Sequence, residues 1–250
     1  MLPMKWVAFF FALFMGLQAG SIRVAIAANV GYAMPDLVKA FESHHPNTRV
    51  ETLIGGSGKL AAQIQRGAPY DLFLSANMDY PTKLHAAGMT LDAPRVYARG
   101  ALVMLSTLPR DFSRGIAVLR DASISRIAVA NPRTAPYGKA AFDALTRAKL
   151  LETLRPKFVY GESIAQTVAY TQKAADIGLI AKSALYAPQM RTYKEGTHWR
   201  EIDPALYTPI DQGMVLLKQS ADNPEAKAFY AFLLSDEARA IFVRYGYRLP

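Results

Sequence analysis

The chain has 250 residues, 51% hydrophobic and 20% charged, a composition that argues against intrinsic disorder and a length sufficient for two lobes with separate cores. Its 29 Lys and Arg outnumber 20 Asp and Glu, giving a net charge of +9. The basic residues are scattered singly along Arg95, Arg99, Arg110, Arg114, Arg120, Arg126 and Arg133, without the aromatic interleaving or basic helix of a nucleic-acid-binding surface. They therefore predict a solvated face that draws anions at long range and no nucleic-acid partner.

Residues 1–20 read as a cleavable secretory signal. Lys5 is their only charge, an apolar stretch from Trp6 to Met15 follows, and cleavage is expected near Ala19 or Gly20. That stretch is too short to span a bilayer, and no later one is long and apolar enough. The mature chain is expected outside the cytoplasm. The absence of cysteine rules out both a disulfide framework and a cysteine-borne lipid anchor.

Residues 22–27 form a β-rich run, and Ala33, Leu37, Val38 and Phe41 then share one face of a helix that Pro46-Asn47 breaks. Residues 49–54 read as the next strand, and Leu60, Ala61 and Ile64 as the apolar stripe of a helix that Gly67 can close. Residues 72–74 follow as a third strand, and Leu84 and Ala87 mark another helix. This alternation predicts an α/β fold with mainly parallel, doubly wound sheets, which bind ligands beyond the carboxyl ends of their strands.

Near residue 100 the rhythm changes. Residues 101–105 read as a strand with no glycine turn behind it, and 126–130 start a fresh βα series. That series continues as a helix at 137–148, a strand at 158–160, a helix at 164–174 and a strand at 177–180. A strand at 213–217 and two helices at 224–234 and 236–245 close the chain, with Ser235 capping the last and Gly246 ending it. No long flexible linker punctuates the chain. The expected organisation is a two-lobed clamp, with residues 21–98 plus 212–250 as lobe I, 99–211 as lobe II and a ligand cleft between them.

Four turns lie where a strand hands over to a helix: Asn29-Val30-Gly31-Tyr32, Gly55-Gly56-Ser57-Gly58, Asn131 to Gly138, and Gly161-Glu162-Ser163-Ile164. Helix N-termini present unpaired N–H groups and the positive end of the helix dipole, so each turn is a candidate part of an anion cradle; plain helix capping is the alternative for each. The glycines around Ser57 let the backbone approach a ligand while its hydroxyl donates, and Tyr137 offers a phenolic donor beside Pro136 and Gly138. Ile164 offers only its N–H, and Asn29 and Asn131 serve equally as turn residues. The donors are neutral N–H and O–H groups, which suits a fully ionised dianion; protonated phosphate needs an acceptor, and Glu162 is the nearest carboxylate.

Enzyme signatures are missing: there is no Gly-x-Ser-x-Gly elbow, HExxH, phosphate loop or GxGxxG. The adjacent His44-His45 pair is expected at the surface and not on a metal. Ser57 with Lys59 resembles a serine nucleophile and its base only superficially, because no further partner is identifiable.

The chain resembles the periplasmic molybdate-binding (ModA) family of ABC importers over residues 22–250. The likeness is carried by Gly67-Ala68-Pro69-Tyr70-Asp71-Leu72-Phe73-Leu74-Ser75-Ala76, by Asn131-Pro132-Arg133-Thr134-Ala135-Pro136-Tyr137-Gly138 and by the ending Arg244-Tyr245-Gly246-Tyr247. The resemblance implies a periplasmic-binding-protein fold and a tetrahedral oxyanion held between the lobes by Asn29, Ser57, Tyr137 and Ile164, with Ala28 as a further amide. It also implies molybdate or tungstate as ligand with no cofactor, the membrane subunits of an ABC permease as partners, a monomer, and no catalysis. Two departures stand out. Many relatives carry Ser or Thr where this chain has Ala28-Asn29, so the donor there is a carboxamide or a main-chain amide. Some use a tyrosine at the position of Ala181, for which Tyr137 is the expected substitute. A receptor for sulfate, phosphate or another oxyanion, and a secreted hydrolase using Ser57, are the competing readings.

Overall fold

The computed structural model describes residues 20–250; all but the last residue of the signal-like segment lies outside the described residues. Strand β1 (Gly20–Ala27) runs parallel to β2 (Thr48–Gly55) and to β3 (Leu72–Leu74). The first two crossovers carry α1 (Met34–His44) and α2 (Ser57–Gln65), and α3 (Asp79–Ala86) follows β3. Side chains alternate across a strand, so Val24, Ile26, Leu72 and Leu74 face Leu37 and Phe41 of α1. Ala25 and Phe73 face Leu60 and Ile64 of α2 and Leu84 of α3. Burying each such Leu or Phe contributes about 1.5–3 kcal/mol.

Strand β4 (Arg95–Gly100) passes through Ala101 directly into β5 (Leu102–Leu105) of a second sheet. There β6 (Ile127–Ala130), α4 (Pro136–Arg147), a short α5 (Leu151–Leu154), β7 (Phe158–Gly161), α6 (Ile164–Lys173) and β8 (Ile177–Ala181) form the second βα series, and β9 (Trp199–Glu201) closes its edge. The chain then returns through β10 (Ile210–Leu216), α7 (Pro224–Phe232) and α8 (Asp236–Arg244). Ser235 Oγ accepts the Ala238 N–H at 3.2 Å, Asp236 and Glu237 fall in the first turn of α8 and Arg244 in its last, which complements the helix dipole at both ends.

The sheets run in the orders β2-β1-β3-β10-β4 and β7-β6-β8-β5-β9. Each is mixed, which narrows the expectation of mainly parallel sheets: β10 is antiparallel to both β3 and β4, and β5 to both β8 and β9. The strands that cross between lobes enter their new sheet without an intervening α-helix, and such an entry does not impose the parallel direction that a βαβ unit does. The two βα series nonetheless leave the carboxyl ends of β1, β2 and β3 facing those of β6 and β7. Where β4, β10 and the chain terminus meet the second lobe, Tyr97, Tyr137, Tyr207 and Tyr247 are all buried in one hydrophobic cluster that runs through both lobes.

Candidate anion-binding site

A cavity lies at these facing carboxyl ends. Its wall comprises Ala27, Ala28 and Asn29 after β1; Gly55, Gly56 and Ser57 between β2 and α2; Ala76 after β3; Ala135, Pro136 and Tyr137 at the start of α4; and Ile164 at the start of α6. Five residues singled out in the sequence, Ala28, Asn29, Ser57, Tyr137 and Ile164, thus come together from both lobes. Asn131 and Glu162 do not join them. Asn131 supports its own turn, its N–H donating to Gly161 O at 2.8 Å and its Oδ1 accepting from Arg133 N–H at 3.1 Å, while Glu162 is exposed.

The donors of this wall are well defined. Ser57, Tyr137 and Ile164 occupy the first turns of α2, α4 and α6, where an N–H has no intrahelical carbonyl to bond, and their N–H groups and that of Asn29 find no other backbone partner. Three helix N-termini therefore converge on one small space. Ser57 Oγ accepts the Ala76 N–H at 3.0 Å, which fixes the side chain and leaves the hydroxyl proton free to be donated. Ala28 differs from expectation. Its N–H already donates to Gly55 O at 2.9 Å, so it lines the cavity without a free amide.

Asn29 is fully buried, and its carboxamide donors are both engaged: Nδ2 donates to Gln212 Oε1 at 2.7 Å and to the Tyr247 hydroxyl at 2.8 Å. Of the two donors the sequence left open at this position, only the main-chain N–H remains available. The Tyr137 ring is buried and its hydroxyl, like Asn29 Oδ1, has no hydrogen-bond partner. A Cβ on Gly100 would lie 2.1 Å from that hydroxyl, so the phenol reaches from the cavity wall to the crossing between β4 and β5, a path open only past glycine. Burial pushes the Tyr137 hydroxyl well above 10, Tyr247, Tyr97 and Tyr207 push the same way, and the adjacent Asn29 pulls it back. The hydroxyl therefore stays protonated, but it lies at the crossing beside Gly100 and not in the cavity, so Tyr137 faces the cavity with its main-chain N–H and not with the phenolic donor expected from the sequence.

Among the described residues no Lys, Arg, His, Asp or Glu lines the cavity. Ser57 has no base beside it there, Lys59 being exposed, so the wall lacks the parts of a nucleophilic serine site. The cavity volume is about 10 Å³, roughly the space one water needs and far below the roughly 300–1,000 Å³ typical of organic-ligand pockets. The lobes lie closed around it: Gly58 N–H donates to Thr134 O at 3.1 Å, the Tyr80 hydroxyl to Arg133 O at 3.4 Å, and Lys139 Nζ pairs with Asp79 Oδ2 at 3.3 Å.

Comparison with known proteins places this geometry in a family. The model for bacterial extracellular solute-binding proteins matches residues 22–248. The chain is 37% identical over 234 residues to the molybdate-binding protein ModA of Azotobacter vinelandii, covering 93% of this chain and 91% of that one. The chain belongs to the ModA family of solute-binding proteins. Rhodobacter capsulatus ModA is 36% identical, with 94% and 93% covered. The solved structure of the Azotobacter vinelandii periplasmic molybdate-binding protein superposes with a TM-score of 0.84 at 30% identity, covering 92% of this chain and 99% of that chain. ModA relatives are solute-binding transport proteins and not enzymes, and their family is extracytoplasmic. Among the described residues no helix is long and apolar enough to cross a membrane.

Four residues that sequence reasoning missed complete the surroundings of the site: Ala76, Gln212, Ser183 and Tyr247. Tyr247 was within reach, because it ends the quoted Arg244-Tyr245-Gly246-Tyr247 stretch. Gln212 carried only the signal of a polar residue leading into the apolar strand Gly213-Met214-Val215-Leu216.

Proposed function

We propose that this protein captures molybdate or tungstate in the cavity between its lobes and delivers it, as a periplasmic monomer, to the membrane subunits of an ABC permease. The observation that carries the reading is the cavity wall itself, which offers hydrogen-bond donors from both lobes and no charged side chain. The N–H groups of Asn29, Ser57, Tyr137 and Ile164 and the hydroxyl of Ser57 replace the anion's hydration shell. Closure then keeps water out, where such donors act at lower dielectric and at little reorganisation cost. A wall of N–H and O–H donors without a carboxylate suits a dianion without protons, whereas hydrogen phosphate would bring a proton with no carboxylate to receive it. The small volume excludes sugars and peptides, and capture requires no covalent step.

A thermal-shift screen across tetrahedral oxyanions tests this. Molybdate or tungstate at a thousandfold excess over Kd stabilises the folded state by about 4 kcal/mol, which raises Tm by roughly 8–16 °C for a chain of this size. Sulfate and phosphate leave Tm unchanged. Equal shifts with sulfate would make the protein a general oxyanion receptor, and turnover of an ester that is lost in Ser57→Ala would make it a hydrolase.

A further inference from the structure

Tyr247 stands outside the cavity wall but holds part of it. At the end of α8, Gly246 takes φ +75°, a conformation that favours glycine, and Tyr247 N–H closes the helix on Phe242 O at 3.1 Å. The chain then crosses back to the junction between the lobes. Arg248 exchanges both backbone hydrogen bonds with Arg99 of β4, at 2.7 and 2.9 Å, and its guanidinium pairs with Glu201 of β9 in the other lobe. Residues 246–248 are thus a strap across the crossing strands, and the Tyr247 ring is fixed edge-on against Phe242 at 5.6 Å.

The Tyr247 hydroxyl grips one residue twice, donating to Asn29 O at 2.9 Å and accepting from Asn29 Nδ2 at 2.8 Å. The second Nδ2 proton goes to Gln212 Oε1. Gln212 cannot turn over, because its Nε2 donates to the carbonyls of Ile210 at 3.0 Å and Ala76 at 3.3 Å. Ser183, in the lobe that carries β8, donates its hydroxyl to the same Asn29 carbonyl at 3.0 Å. The backbone of Asn29 is therefore set by the terminal strap, by β10 and by the opposite lobe, while its N–H has no partner among the described residues.

We propose that the Tyr247 hydroxyl is a positioning group for anion capture: it fixes the Asn29 main chain so that the Asn29 N–H serves the anion, and it shares the Asn29 carbonyl with Ser183 of lobe II, which ties filling of the site to closure. The inference rests on the molybdate reading. Tyr247→Phe keeps the ring and its packing on Phe242 and deletes only the hydroxyl.

Calorimetric titration of molybdate into wild type and Tyr247→Phe, with the Asn29 amide resonance followed in isotope-labelled protein, tests it. The expected result is binding at least about tenfold weaker in Tyr247→Phe, a smaller anion-induced shift of the Asn29 amide, and a faster anion dissociation rate. A purely structural role would lower the melting temperature without changing the bound-state shift of Asn29. Should Tyr247→Phe fold poorly, Ser183→Ala removes the other hydroxyl from the same carbonyl and decides the matter; a loss of at least about threefold is expected. Wild-type binding with unchanged affinity in the folded variant overturns this inference alone. Failure of the wild type to bind any tetrahedral oxyanion overturns the functional reading and this inference with it.

Discussion

Replacing Ser57 with alanine separates the two duties of its hydroxyl. In the closed protein Ser57 Oγ accepts the Ala76 N–H at 3.0 Å, and its own proton is available to a bound anion. Loss of the acceptor leaves a buried N–H unpaired, which costs about 1–3 kcal/mol of stability and lowers Tm without anion by roughly 2–12 °C. Loss of the donor removes one hydrogen bond to a charged group, about 1.5–3 kcal/mol, and so weakens molybdate binding about 10- to 150-fold. Calorimetry in parallel on binding and on unfolding measures the two effects independently. A variant that melts lower as expected but keeps its molybdate Kd within about twofold would show that the hydroxyl serves Ala76 only, and would refute its place in the anion's coordination.

Closure has its own test at Gly58, where a Cβ would lie 3.0 Å from Thr134 O of the opposing lobe and 2.7 Å from the Tyr80 hydroxyl. Gly58→Ala should therefore destabilise the closed form by about 1–3 kcal/mol as an overpacked contact does, reducing anion affinity in calorimetry while leaving Tm without anion nearly unchanged; unaltered affinity would mean that the contact is not needed for capture. Lys139→Ala removes the Lys139–Asp79 pair, but both side chains are more than half exposed, so the loss should stay below about 1 kcal/mol and fade in high salt. A tenfold or larger loss would instead place Lys139 on the anion. Tyr97, Tyr137, Tyr207 and Tyr247 all have hydroxyls raised above their ordinary value chiefly by burial. Because the folded state holds these protons more tightly than the unfolded one, their stabilisation is complete below about pH 10 and is lost as pH rises beyond it. Tyrosinate absorbance and circular dichroism followed together should show these four rings ionising only as the fold is lost, and ionisation of all tyrosines within an intact fold would contradict their burial.

Much of this architecture was legible because its signals are local. The turns at Asn29, Ser57, Tyr137 and Ile164 each sit where a β-branched run gives way to an amphipathic one, and the parallel strand order then brings their ends together. Gly246 and Ser235 marked the limits of α8 by chemistry that needs no tertiary context. Direction was not local in the same way. The run that became β10 shows that a strand exists but not that it enters antiparallel to β3, and the three-residue β9 is too short to show a period. The supports of Asn29 were the least visible, since Ser183, Gln212 and Tyr247 lie 154, 183 and 218 residues from it. Ala28 was misjudged as a free amide for a related reason: whether an N–H is spent on Gly55 O depends on the register of β1 and β2, which the sequence pattern leaves unset.

Crystals grown with molybdate or tungstate and measured at the absorption edge of the metal test the central claim most directly, because anomalous scattering locates the heavy atom without reference to the protein coordinates. The account predicts one strong peak between Asn29, Ser57, Tyr137 and Ile164, with the Asn29 carboxamide still bonded to Gln212 and Tyr247 and only its N–H turned to the anion. A peak elsewhere on the protein, or none in the cavity at saturating anion, would contradict it.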